Sequence, residues 1–134
     1  MASVGTAVLR VGAAVTELLL SDTSVSAYLG NKIFPVATQE DTPRPFLIYQ
    51  RTGLNPSYTK DSRAYDSVYV GITIISDTYS GSVAGASAVL GALERKRGTF
   101  AGLDIDDIML SDANEGADEI NYIQDLQFEI FINI

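Results

Sequence analysis

The stretch Tyr122-Ile123-Gln124-Asp125-Leu126-Gln127-Phe128-Glu129-Ile130-Phe131-Ile132-Asn133-Ile134 decides the fold class. Tyr122, Gln124, Leu126, Phe128, Ile130, Ile132 and Ile134 fall on one side of an extended chain, and Asp125, Gln127, Glu129 and Asn133 on the other. Side chains of a strand point alternately to its two faces, so this reads as a long strand with one buried face. Leu126, Phe128 and Ile130 are its expected core residues. The same period of two recurs from Ser67 to Ile75, where Val68, Val70, Ile72 and Ile74 alternate with Tyr69, Gly71 and Thr73. Shorter strands are expected at Phe46 to Arg51, after the breaker Thr42-Pro43-Arg44-Pro45, and at Ile105 to Leu110. Ile33-Phe34-Pro35 can be only a short edge strand or an extended link, because proline donates nothing to a ladder. Ser111 to Ile120, with Asn114, Gly116 and four acids, reads as a loop.

Two segments carry a helical period instead. Val4, Val8, Val11, Val15, Leu18 and Leu19 form one stripe, off which Arg10 and Glu17 fall. Ser21 and Asp22 offer an N-cap for a short second turn with Val25, Tyr28 and Leu29 inward and Gly30 as its stop. A later helix starts at the cap Asp77, runs to about Arg97 and stops at Gly98. Val83, Ala86, Leu90 and Leu93 make its expected inner stripe, with Val89 on the flank. Gly81, Gly85 and Gly91 each cost roughly 1 kcal/mol in a helix interior, so close packing is expected to offset them. Arg95, Lys96 and Arg97 in its last turn suit the helix dipole. These elements predict an α+β domain over residues 1–134: a mostly antiparallel four-stranded sheet with helices packed on one face, in the order α-β-β-α-β-β.

Length and composition fit one such domain. The 134 residues are 46% hydrophobic, too apolar for a disordered chain and long enough for a single core. The stretch from Val4 to Leu20 is broken by Arg10 and Glu17 and lacks a basic leader, so Val25-Ser26-Ala27 is not expected to be a signal cleavage site. No run reaches the ~18 apolar residues of a membrane span, and no membrane partner is expected.

Charge and residue types narrow the chemistry. The formal charge is −8 and the pI about 4.3. Residues 101–134 hold Asp104, Asp106, Asp107, Asp112, Glu115, Asp118, Glu119, Asp125 and Glu129 and no Lys or Arg. Such a surface repels phosphate, so sequence-specific nucleic-acid binding is not expected, while DNA passing without adhering is compatible with it. Without Cys or His the chain has no zinc site, thiol nucleophile or imidazole base. Asp104-Ile105-Asp106-Asp107 lacks the ligand spacing of a calcium loop and reads as a solvated strand edge. The glycines from Gly81 to Gly91 lack the Gly-Lys-Ser/Thr ending of a phosphate loop. No catalytic, metal or cofactor residue is assigned, and the chain is not expected to be an enzyme.

The link from Thr52 to Asp66 is the one segment that asks for a partner. It is too long for a tight hairpin turn, and it holds Leu54, Tyr58 and Tyr65 beside Lys60. Aromatic side chains on a protruding arm act as anchors in protein interfaces. Leu54, Tyr58, Lys60 and Tyr65 are therefore the candidate contact residues to a neighbouring subunit or other protein partner.

Asn31-Lys32-Ile33-Phe34-Pro35, followed by Thr42-Pro43-Arg44-Pro45-Phe46-Leu47-Ile48-Tyr49, resembles a pattern of the tail terminator (tail completion) proteins of long-tailed phages. The strand Val68 to Ile75, the helix after Asp77 and an acidic loop before a final amphipathic strand follow in the family's order. The resemblance implies a hexameric ring, a homo-oligomer, that sits on the last ring of the tail tube protein. It would stop elongation and offer a surface to the head-tail connector protein, in the virion tail after assembly in the host cytoplasm. It brings no active-site residues to transfer. Another head–tail connector subunit or minor tail protein is the first alternative, and a small cytoplasmic enzyme or ligand-binding module the second.

Overall fold

The computed structural model describes residues 4–37, 42–60 and 63–134, with the backbone alone for Val4, Gly5 and Arg63. The expected Val4 side chain of the first stripe thus lies outside the described residues. The chain opens with α1 (Val4–Ala7), a 3-10 turn (Val8–Arg10), α2 (Val11–Ser21) and α3 (Thr23–Leu29). There follow β1 (Ile33–Pro35), β2 (Phe46–Tyr58), β3 (Arg63–Ser76), α4 (Tyr79–Leu93), β4 (Gly98–Phe100), β5 (Leu103–Ala117) and β6 (Tyr122–Asn133).

The sheet corrects the expected architecture. It has six strands rather than four, in the order β1-β2-β3-β6-β5-β4, and it is mixed and curled. β1 runs parallel to β2, while the remaining neighbours are antiparallel. The order α-β-β-α-β-β fails because each outermost strand is three residues long, too short to show any period in sequence. β5 corrects the reading further, since it continues through most of the stretch expected to be a loop. Its register slips between Ile105 and Asp107 and again between Leu110 and Asp112. Each slip is a β-bulge, an extra residue that resets which side chains face inward. Ile105, Ile108, Leu110 and Ala113 consequently stand opposite Ile132, Ile130, Phe128 and Leu126. Their uneven spacing hides a strand from any search for strict alternation.

The core lies between the helices and one face of this sheet. Val68, Val70, Ile72 and Ile74 of β3 and Leu126, Phe128, Ile130 and Ile132 of β6 are all buried there. The opening helices supply Val8, Val11, Ala14, Val15, Leu18 and Leu19 to the same cluster. Asp22 caps α3 by accepting from the Val25 N–H at 3.0 Å. In α4 the cap is Thr78, not Asp77, whose Oγ1 accepts from the Gly81 N–H at 3.0 Å. Its buried stripe is Ser82, Gly85, Val89, Ala92 and Leu93, and Val83 points to solvent. The stripe sits one residue away from the expected one because the helix packs its small residues against α3. A Cβ on Gly85 would stand 2.4 Å from the Tyr28 ring, so only glycine permits that approach. The helix also ends at Leu93, earlier than expected. Arg95 then turns back, its N–H donating to the Ile108 carbonyl at 2.7 Å. Arg95 and Arg97 thereby meet Asp107 and Asp106 of β5 at 3.2 and 3.6 Å, instead of lying along a helix terminus.

Candidate assembly surface

Helices cover one face of the sheet, and the other face is open. By register it carries Gln50 from β2, Tyr69 and Thr73 from β3, Asp125, Gln127 and Glu129 from β6, and Met109, Asp112 and Asn114 from β5. The curl of the sheet makes a shallow depression of about 400 Å³ across these strands, lined by Gln50, Thr73, Asp112, Asn114, Asp125 and Gln127. Its carboxylates are held by neighbours. Thr73 Oγ1 donates to Asp125 at 2.7 Å, Asn114 Nδ2 to Asp112 at 3.1 Å, and the Ser67 hydroxyl to Glu129. On the opposite, helix-covered side, beside α4, Gln124 Nε2 and the Tyr79 hydroxyl both donate to Glu115 at 3.0 Å. That bond to the Glu115 carboxylate raises the Tyr79 pKa above its ordinary value. The open face itself is polar, negatively charged and hydrogen-bonded. Among the described residues no group of three acids stands close enough to hold a metal ion. No helix among them is long and apolar enough to cross a membrane.

The segment singled out in the sequence, Thr52 to Asp66, is mostly strand rather than a free loop. β2 and β3 stay paired from Gly53 opposite Tyr69 to Tyr58 opposite Arg63. β6 backs that hairpin as far as Asn133 opposite Tyr65, so only its tip extends beyond the sheet. The structure separates the four named residues. Leu54 stands opposite Val68 and packs half-buried against the core. Tyr58 is 68% exposed and Tyr65 46% exposed, and Lys60 is exposed at the tip. Ser57 stands opposite Tyr65 across the hairpin, and the register shifts between Ser57 and Tyr58.

Sequence reasoning placed the short edge strand Ile33–Pro35 but missed β4 and how little of β2 and β5 the outermost strands cover. β1 covers β2 only at Leu47 to Tyr49, and β4 covers β5 only at Leu103 to Ile105. Among the described residues no strand lies on the outer side of 50–58 of β2 or of 109–117 of β5. In β2, Pro56 was the one signal of an edge, since proline is confined to strands with a free side. Apolar side chains flank both stretches. Leu9 and Val36 border a hollow beside β2 that Tyr49 and Arg51 also line. Met109 lies on β5, and the Tyr79 and Tyr122 rings meet edge to face near its far end.

Comparison with known proteins places this geometry. A family model described as "Tail completion protein gp17" matches residues 13–132. No curated protein matches the chain. Among solved structures, a chain from the virion of the native gene transfer agent particle superposes with a TM-score of 0.80 at 17% identity, covering 91% of this chain and 93% of that one. The gp17 protein of bacteriophage SPP1 superposes with a TM-score of 0.54 at 17% identity, over 96% of this chain and 89% of that one. At such identities the likeness is one of fold.

Proposed function

The chain belongs to the tail completion protein gp17 family, and from that membership we propose that it closes into a ring of six copies on the end of a phage tail tube. The ring ends tube growth and offers its outer surface to the head-side connector. It is a structural part of the virion tail, without catalysis, after assembly in the host cytoplasm. The observation that carries this reading is the family match over residues 13–132, joined to a sheet that is open on one face and at both edges. An open face rich in carboxylates suits a lumen, because DNA phosphates are weakly repelled and slide past it. The hairpin tip, with Tyr58, Lys60 and Tyr65 exposed and Leu54 at its root, contacts the next subunit or the tube.

The test is reconstitution. Purified protein is added to growing tail tubes, and negative-stain images are combined with native mass measurement. Six-fold rings seated on tube ends of fixed length are the expected result. Tubes that keep elongating beside a protein that stays monomeric would overturn the reading.

A further inference from the structure

We propose that residues 50–58 of β2 in one subunit pair antiparallel with residues 109–117 of β5 in the next, so that the sheet runs on from subunit to subunit. This inference rests on the ring reading above and says how the ring closes. The first argument is the backbone itself. An edge strand presents a row of N–H and C=O groups that water or another strand must satisfy, and a second chain adds readily to such a row. β1, extended by the Val36 N–H on the Tyr49 carbonyl, occupies one half of the β2 edge. β4, extended by the Arg95 N–H on the Ile108 carbonyl, occupies one half of the β5 edge. The halves left over, 50–58 and 109–117, are equal in length.

Direction and position agree with head-to-tail pairing. Strands β2, β3, β6 and β5 alternate in direction. A β2 placed beside β5 by rotation about a ring axis therefore continues the alternation without the subunit being turned over. That is a heterologous contact, the kind that closes into rings, whereas pairing of like edges would stop at a dimer. The free half of β2 lies toward the tip of its hairpin, and the free half of β5 lies toward the turn at the sheet's other end. Full overlap thus displaces each subunit along the strands relative to the last. Closed barrels need such a stagger, with strands tilted to the axis.

The side chains complement the backbone. Residues 50–60 carry Arg51 and Lys60 and no acid, while 109–117 carry Asp112 and Glu115 and no base. Leu9 and Val36, 55% and 65% exposed beside the one edge, would gain cover, as would Met109, 41% exposed on the other. The bulges at Thr52 and Ser111 and the missing N–H of Pro56 weaken both edges against indiscriminate partners. Pairing then depends on the flanking charges and apolar contacts as well as on the ladder.

The chain has no cysteine, which makes disulfide mapping clean. Single variants Gln50→Cys, Asn55→Cys and Ser57→Cys are mixed pairwise with Gly116→Cys, Asp112→Cys and Met109→Cys, allowed to cap tail tubes and oxidised. With the bulged Thr52 and Ser111 left out of the ladder so that partners share a face, antiparallel pairing is expected to cross-link 50 with 116, 55 with 112 and 57 with 109, and no variant with itself. Rings that form on tubes with no cross-link, with the reverse order, or with like joined to like would overturn the edge pairing and leave the ring standing. Absence of rings on tubes with unmodified protein would overturn the ring reading and this inference with it.

Discussion

At the scale of single residues, two kinds of position govern stability. Phe128 is fully buried at the centre of the cluster, on the middle strands of the sheet. Phe128→Ala removes transfer energy and leaves a cavity, for an expected loss of about 3–5 kcal/mol in denaturant titration. A variant with an unchanged midpoint would mean that this ring is not in the core. The glycines of α4 make a sharper comparison, because helix propensity predicts a gain at each. Gly91 has nothing within 4 Å of its missing Cβ, so Gly91→Ala should stabilise by about 0.5–1 kcal/mol. Gly85→Ala drives a methyl into the half-buried Tyr28 ring, and overpacking of that sort costs about 1–3 kcal/mol. Opposite signs in the two melting shifts are expected. Equal gains would show that α3 can move aside.

At the scale of elements, the bulges of β5 make it tolerant in unusual places. Asp106 and Ser111 are the extra residues of the two register slips. Deleting either one regularises the ladder and leaves Ile105, Ile108 and Leu110 on their present face. Deleting Met109 instead carries Ser111 into the position of Leu110 opposite Phe128. That replaces a half-buried leucine by a hydroxyl, so a loss of ~2 kcal/mol or more is expected for it in thermal melts. If all three deletions melt alike, the bulges do not set the register. The β5–β6 turn has its own dependence on pH. Asp118 accepts from the N–H groups of Ile120 and Asn121 at 2.9 and 2.8 Å and from Asn121 Nδ2 at 3.1 Å. These bonds, led by that of Ile120, lower its pKa below the ordinary carboxylate value. With the folded pKa below the unfolded one, the turn is fully supported above the unfolded value and loses support as pH falls through the folded one. The amide proton shifts of Ile120 and Asn121 should titrate together, with a midpoint below that of a free aspartate.

At the scale of the whole molecule, charge sets the conditions for assembly. Each copy carries a formal charge of −8, so bringing several together works against long-range repulsion. Opposed charges at the two edges offset little of it, since exposed pairs are each worth roughly 0.2–1 kcal/mol. Salt shortens the reach of the repulsion, to about 8 Å at physiological ionic strength. Sedimentation should therefore show more association at 150 mM salt than at 10 mM, those concentrations being on the order of the two screening regimes. Association that weakens steadily with salt would show that local attraction dominates instead.

What the sequence determined by itself is whatever its periods state outright. Alternation along Val68 to Ile74 and Leu126 to Ile132 reports a one-sided sheet, because a side chain's face follows directly from its place in an extended chain. The apolar stripe from Val8 to Leu19 and the cap at Asp22 are local in the same way, and so is the family resemblance carried by Asn31 to Pro35 and Thr42 to Tyr49. Tyr58 and Tyr65 were legible as aromatics in need of an explanation, and both are exposed in the fold. Tertiary structure alone decided the rest. Strand number and order depend on pairings between distant residues, and three-residue strands such as Gly98–Phe100 exist only because a neighbour supplies their hydrogen bonds. The extent of β5 was hidden because its bulges break the period by which strands are recognised. Leu54 looked stranded in a loop until Val68 stood opposite it. Pro35 and Pro56 hinted at an edge, but the extent of the two free stretches stayed hidden for the same reason: an edge is defined by which strand is not beside it.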